Sequence, residues 1–247
     1  MRKKTIKIFA ISMISLMVGC SDNDENEPMI TSTLSNGLIA KILLDNNTSD
    51  STGNLTDGEI FGILNPTKNR NGIENKAMLF SEDEGHIDFG NVENLELDYD
   101  SSISISVWIK PNGNQFDWDT ILNQYFTGPQ PSADGRFYLG LNPSNGKIRW
   151  NVFNNILESS NSIPIDEWTH IIVSYENRMT SIYINGIVDT TLQLSSESTA
   201  LGTGAPFKIG KQSLTSSNSS GFNGAIDDIY IYHRLLEKEE VQQLFQE

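Results

Sequence analysis

Hard oxygen ligands crowd the run from Asp45 to Gly58. Asp45, Asn46, Asn47, Thr48, Ser49, Asp50, Ser51, Thr52, Asn54, Thr56 and Asp57 all lie in it. Calcium takes about six to eight oxygens from carboxylates, amides and main-chain carbonyls, so the composition suits a structural Ca2+. The run has neither the D-x-D-x-D-G register nor the closing Glu of an EF-hand loop. A plain Asn/Asp/Gly turn accounts for it equally well. A second acidic run, Glu96-Leu97-Asp98-Tyr99-Asp100, puts acids at i, i+2 and i+4. On a strand these would share a face, and glycoside hydrolysis uses paired carboxylates.

Aromatic residues supply a different chemistry, since a sugar's C–H face stacks on an exposed ring while its hydroxyls take polar partners beside it. Phe116-Asp117-Trp118-Asp119 lies in a loop, where the core does not require a Trp. Trp150 and Phe153 fall on opposite faces of one strand, so one of them should point away from the core. Arg136, Tyr138 and Arg149 are polar-capable positions on neighbouring strands. Trp108 and Trp168 read as core residues. His86, His170 and His233 are scattered, with His170 inside a strand as a structural residue. Nothing matches a Gly-x-Ser-x-Gly elbow, a phosphate loop or zinc spacing. The sequence supports no catalytic assignment.

Cys20 is the single cysteine. It follows a basic start (Arg2, Lys3, Lys4, Lys7) and an uncharged apolar run from Ile8 to Gly19, the layout of a signal peptide over residues 1–19. The run is too short to span a bilayer comfortably, which takes about 20 apolar residues. Met17-Val18-Gly19-Cys20 resembles a bacterial lipobox, in which the thiol is diacylated and becomes the mature N-terminus. The acidic, polar stretch that follows reads as a solvated tether over residues 20–34. Acids directly behind the Cys resemble the export tag of surface lipoproteins in Bacteroidetes-type bacteria. The expectation is an outer-membrane lipid anchor with the domain exposed at the cell surface; the alternative faces the periplasm.

The chain carries 17 Lys+Arg against 32 Asp+Glu, a net charge of −15. Loss of residues 1–19 removes four basic residues and takes it to −19. Such a surface argues against nucleic acid, whose binding depends on neutralising phosphates. It also argues against adhesion to anionic lipid, so membrane contact is expected through the lipid anchor only.

Period-two alternation dominates the remainder. Ser104 to Lys110 puts Ile105, Val107 and Ile109 on one face. Further strands are expected at 120–125, 136–141, 147–153, 168–175, 180–184, 187–192, 206–210 and 225–232, with turns at Asn145-Gly146 and Asn185-Gly186. The strand at 225–232 places Ala225, Asp227, Ile229 and Ile231 together on one face. Only Leu236 to Phe245 looks helical. Many short strands with almost no helix imply an all-β sandwich over residues 35–247.

The ordered pieces resemble a family. Phe222-Asn223-Gly224-Ala225-Ile226-Asp227-Asp228-Ile229-Tyr230-Ile231-Tyr232-His233-Arg234-Leu235-Leu236 resembles the closing strand of the laminin-G-like, concanavalin A-type jelly roll. Ala77 to Phe80, His86 to Phe89, Ser104 to Pro111, Asp166 to Tyr175 and Ser181 to Gly186 resemble its earlier strands in order. The resemblance implies a two-sheet antiparallel jelly roll closed by one short helix. It implies lectins, carbohydrate-binding modules, adhesive modules or glycanases, and fold alone does not choose among them. The related glucanase motif is E-x-D-x-x-E, and Ser101 stands where its last Glu would be, so residues 96–100 read as a polar connector. First and last strands often lie side by side in such sandwiches, which would bring Asp45 or Asp50 near Asp227 or Asp228 as calcium ligands. The leading expectation is a non-catalytic module for an extracellular glycan. The alternatives are a module binding a protein partner at the cell surface and a glycan-cleaving enzyme.

Overall fold

Every second residue of the strand Ile103–Pro111 is a fully buried aliphatic, and the same rule runs through most of its neighbours. Alternation sends those side chains to one face of a pleated sheet and leaves the other face polar. The computed structural model describes residues 33–81, 85–113, 119–124, 126–127, 136–194, 204–211, 213–214 and 221–247. Its strands are β1 (Leu38–Ile42), β2 (Glu59–Gly62), β3 (Asn65–Thr67), β4 (Ala77–Phe80), β5 (Gly85–Asn91) and β6 (Ile103–Pro111). Then come β7 (Asp119–Gln124), β8 (Phe126–Thr127), β9 (Phe137–Asn142), β10 (Lys147–Val152), β11 (Asn155–Ser162) and β12 (Thr169–Glu176). The chain closes with β13 (Met179–Ile184), β14 (Ile187–Gln193), β15 (Pro206–Ile209), β16 (Ser213–Leu214), β17 (Gly224–Tyr232) and the helix α1 (Lys238–Gln246).

Two large sheets result. The first runs β14-β13-β12-β6-β17-β4-β3, with β1 also paired to β17, and the second runs β11-β10-β9-β7-β15-β5-β2. All pairs within them are antiparallel; β8 and β16 form a short parallel pair of their own. The inner faces meet in one continuous core containing Ile105, Val107, Ile109, Phe80, Phe137, Trp150, Phe207 and Ile229. Each such side chain, fully buried, contributes roughly 1.5–3 kcal/mol. This is the sandwich expected from the alternation, in the two-sheet antiparallel jelly-roll form that the resemblance implied.

The helix covers the outer side of the first sheet. Val241, Leu244 and Leu236 pack with Leu34, Ile172, Tyr230 and Tyr232 in a second apolar cluster. Glu237 and Glu240 form a capping box at its start. Arg234 clamps Glu240 at 2.5 and 2.7 Å and donates to the carbonyls of Asn36 and Thr33. Thr33 and Leu34, expected at the end of the tether, therefore dock on the sandwich.

A bulge corrects the simple alternation of β17. Its pairing with β6 shifts between Asp227 and Tyr230, and Asp228 sits at φ 46. The extra residue puts Ile226, Ile229 and Ile231 on the core face and turns Asp227, Tyr230 and Tyr232 outward. Asp227 thus faces Trp108 across the ladder rather than sharing a face with Ile229.

Candidate functional site

The four aspartates assigned to calcium do not form one cage. Asp50 is consumed by its own loop. Its Oδ1 accepts from the main-chain N–H of Lys41 (2.8 Å) and Thr52 (3.0 Å). Its Oδ2 accepts from the Thr52 hydroxyl (2.6 Å) and from the N–H groups of Asn54 and Leu55 (both 3.0 Å). Burial works against its charge, yet the donations from Lys41, Thr52 and Leu55 hold it below the usual carboxylate range. Asp45 pairs with Lys76 Nζ at 2.6 Å. Arg70 Nη1 lies 2.6 Å from Asp228 and 3.1 Å from Asp227. Among the described residues no group of three or more His, Cys, Asp or Glu is placed to hold a metal ion. Side-chain cations and main-chain donors engage Asp45, Asp50, Asp228 and Oδ2 of Asp227, while Asp227 Oδ1 is buried with no hydrogen-bond partner.

The outer side of the first sheet is closed in the same region. The Arg70 guanidinium lies 4.7 Å over the Trp108 ring, which stacks on His170 (4.9 Å) and Phe245 (5.8 Å). Trp108 is buried there, outside the inter-sheet core. His170 Nε2 shares a 2.8 Å hydrogen bond with Ser106 Oγ, and both residues are buried. Burial, then Arg70, pushes the imidazole down to about 3, and its Nδ1 has no hydrogen-bond partner. A serine and histidine so placed lack both an orienting acid and a path for substrate. His170 is structural, as expected.

Three of the seven expected sugar contacts point inward. Trp150 is 0% exposed, tilts against Phe137 and donates its indole N–H to Thr180 Oγ1 at 2.8 Å. Phe153 is 1% exposed and packs on Tyr99 and Tyr175. Strand alternation does not apply to Phe153, which with Asn154 forms the β10–β11 turn at φ 50 and 61. That turn swings the ring back over the core. Arg136 is buried and donates from Nη1 to the Leu97 carbonyl, fastening the connector after β5. Trp168, expected in the core, is half-buried. Phe116 and Trp118 lie outside the described residues.

Tyr138 and Arg149 do reach the outer face of the second sheet, and they belong to a larger array. Read across the strands, the partnered residues are Glu59, Asp88, Lys208, Asn123, Tyr138, Asn151 and Ile156, one from each of the seven strands. Six of these seven are polar. Beside this row run Phe61 opposite His86, and Gly140 opposite Arg149, which faces Glu158. Asp88 Oδ2 pairs with Lys208 Nζ at 3.1 Å. Glu158 accepts from Asn142 Nδ2 at 2.9 Å, with Arg149 Nε at 4.0 Å. Tyr138 lies flat along its own strand because a Cβ at position 140 would overlap the tyrosine hydroxyl and the Asp119 carbonyl. Burial raises its hydroxyl pKa. Asn123, Asn151, Asp88, His86 and Lys208 were missed from sequence. The alternation of His86 and Asp88 with Ile87 and Phe89 is the signal that places the first two on one outer face.

The acidic run from Glu96 to Asp100 is irregular chain after a 3-10 turn at Glu93–Leu95. Asp98 closes on Ser101 (2.8 Å), which lowers its pKa, and Glu96 Oε1 accepts from Gly204 N–H at 2.9 Å. It is a connector, and its acids do not form a strand-borne pair.

The comparisons agree with this architecture. The structure overlays domain 4 of AbnA, a GH43 extracellular arabinanase from Geobacillus stearothermophilus in complex with arabinotriose, with a TM-score of 0.63 and 23% identity over 85% of this chain and 98% of that one. It overlays the binding domain of Paraclostridial Mosquitocidal Protein 1 with a TM-score of 0.61 and 20% identity, over 86% of this chain and 52% of that one. A botulinum neurotoxin type C structure, described as depending on two ganglioside molecules for cell entry, gives a TM-score of 0.61 and 20% identity over 87% and 52%. At such identities the likeness is one of fold, and the chain spans about half of each toxin structure. No curated protein matches the sequence. Residues 81–242 match the family model described as the concanavalin A-like lectin/glucanases superfamily. With that match covering most of a chain already seen to fold as a two-sheet jelly roll, the protein belongs to the concanavalin A-like lectin/glucanase superfamily.

Proposed function

We propose that this protein is a surface-anchored, non-catalytic carbohydrate-binding lipoprotein. The observation that carries the reading is the polar row across the outer face of the second sheet, from Glu59 and Asp88 through Lys208, Asn123 and Tyr138 to Asn151. Glu59 is exposed and Asp88, Lys208 and Asn151 are half-buried, so on strands about 4.8 Å apart these four offer hydrogen-bonding groups, while Asn123 and Tyr138 between them are buried and support the row from beneath. Rigid strands hold them, which keeps the ordering penalty on binding small. The arabinotriose-bound and ganglioside-dependent neighbours support a glycan as the ligand class. Asp88 and Glu158 on this face engage Lys208, Arg149 and Asn142, which favours binding over hydrolysis. Anchoring rests on Cys20 and its preceding apolar run; the acidic residues behind it favour the outward-facing side of the outer membrane.

A glycan array probed with the intact protein in detergent tests the reading. Binding to a defined glycan class, without release of reducing ends, is the expected result; a blank array counts against it. Loss of acyl labelling in Cys20→Ser checks the anchor. A second reading, a module for a protein partner, is favoured by the exposed Ile187 and Val188 on the edge strand β14, and a neighbouring neurotoxin domain is bound to rat synaptotagmin II. Pull-down by the native protein but not by Ile187→Lys would favour it.

A further inference from the structure

The strand β2 forms one edge of the second sheet, and all four of its residues are exposed. Phe61 is 43% exposed, and its partner across the ladder is His86. The two rings are stacked, with centroids 5.1 Å apart and planes 12° from parallel. The imidazole therefore takes one face of the phenyl ring, and the exposure lies on its opposite face and rim. A single exposed aromatic is ordinary on a protein surface. This ring is also backed by an uncharged imidazole: burial first, then Lys208 and Lys211, pushes His86 down to about 4. Asp88 lies two residues further along the same face of β5, held 3.1 Å from Lys208 Nζ. A flat apolar surface beside an acceptor and a donor of opposite charge suits a sugar ring, whose C–H face stacks while its hydroxyls bridge the pair. Asp88 and the Glu59 opposite it stand against Lys208 and Lys211, a near balance of charge beside the ring that favours an uncharged sugar over an acidic one.

We infer that Phe61, backed by His86, is the stacking platform for one neutral sugar ring, with Asp88 and Lys208 taking its neighbouring hydroxyls. The inference rests on the carbohydrate reading above and places one end of the bound glycan at the β2 edge. The test is isothermal titration of the intact protein in detergent at pH 7 with xylotriose, cellotriose and maltotriose, alongside the glycan array. The native protein is expected to bind at least one member of this set. Phe61→Ala should weaken that binding by roughly five- to tenfold, and Phe61→Tyr should keep it within about twofold. Phe61→Ala should still unfold in one cooperative transition, with a melting temperature only a few degrees below the native one, since the ring stands 43% exposed on an edge strand. Undiminished affinity in Phe61→Ala overturns the platform and leaves the carbohydrate reading standing. No binding by the native protein to any trisaccharide or array member overturns both.

Discussion

Arg70 Nη1 stands 2.6 Å from Asp228 Oδ2, bridging the β3–β4 loop to the bulge of β17. The same nitrogen lies 3.1 Å from Asp227, and the guanidinium covers Trp108. One arginine thus pairs with the Asp228 carboxylate, reaches the Asp227 carboxyl beside it and roofs the outer face of the first sheet. Its removal leaves the Asp228 carboxylate uncompensated beside Asp227 in a largely buried setting. Arg70→Ala should lower unfolding free energy by about 3 kcal/mol in a denaturant titration. A loss below about 0.5 kcal/mol would show that the cluster is open to water.

Asp227 should give a distinct pH signature. Burial and the charge of Asp228 raise its pKa to about 8 despite Arg70. The folded state keeps this proton while the unfolded chain loses it near the ordinary value, so the group's contribution to stability declines from about pH 4 to pH 8. Asp227→Asn should remove that decline, and melting temperatures at pH 5 and pH 8 should then lie closer together than in the native protein. An unchanged profile would mean that Asp227 ionises normally.

His86 acts in the opposite pH range. Its pKa is lowered to about 4, so the unfolded chain takes up a proton first as pH falls below about 6.5, and stability drops from there toward pH 4. His86→Phe preserves an aromatic partner for Phe61 and should flatten that part of the acid limb, measured by thermal melts between pH 4 and pH 7.

Inward and outward residues should separate cleanly. Trp150→Ala removes a fully buried ring and should cost about 3–5 kcal/mol. Arg149→Ala should leave the melting temperature nearly unchanged and weaken glycan binding. Gly140→Ala should lower stability by about 1–3 kcal/mol and weaken binding as well, since its methyl displaces Tyr138.

Chelation should have little effect. The expected calcium ligands already carry Arg70, Lys76 and main-chain N–H donors. A melting temperature that rises by several degrees on adding calcium to an EDTA-treated sample would overturn this.

The sequence by itself determined the class of fold and most of the longer strands, though not β1, β2, β3 or β11. Ile105, Val107 and Ile109 alternate strictly, Asn185-Gly186 marks a tight turn, and burial follows directly from such patterns because pleating sends alternate residues to opposite faces. Tertiary structure alone decided which strands became neighbours. Asp88, Lys208, Asn123 and Tyr138 come from four strands and meet only through non-local pairing, so no local spacing announces their row. Local backbone geometry decided the rest. One extra residue at Asp227-Asp228 reverses the facing of β17, and a positive φ at Phe153 sends an expected surface ring into the core. Both are single-residue departures from the repeat on which sequence reasoning depends, and packing against the opposite sheet selects them.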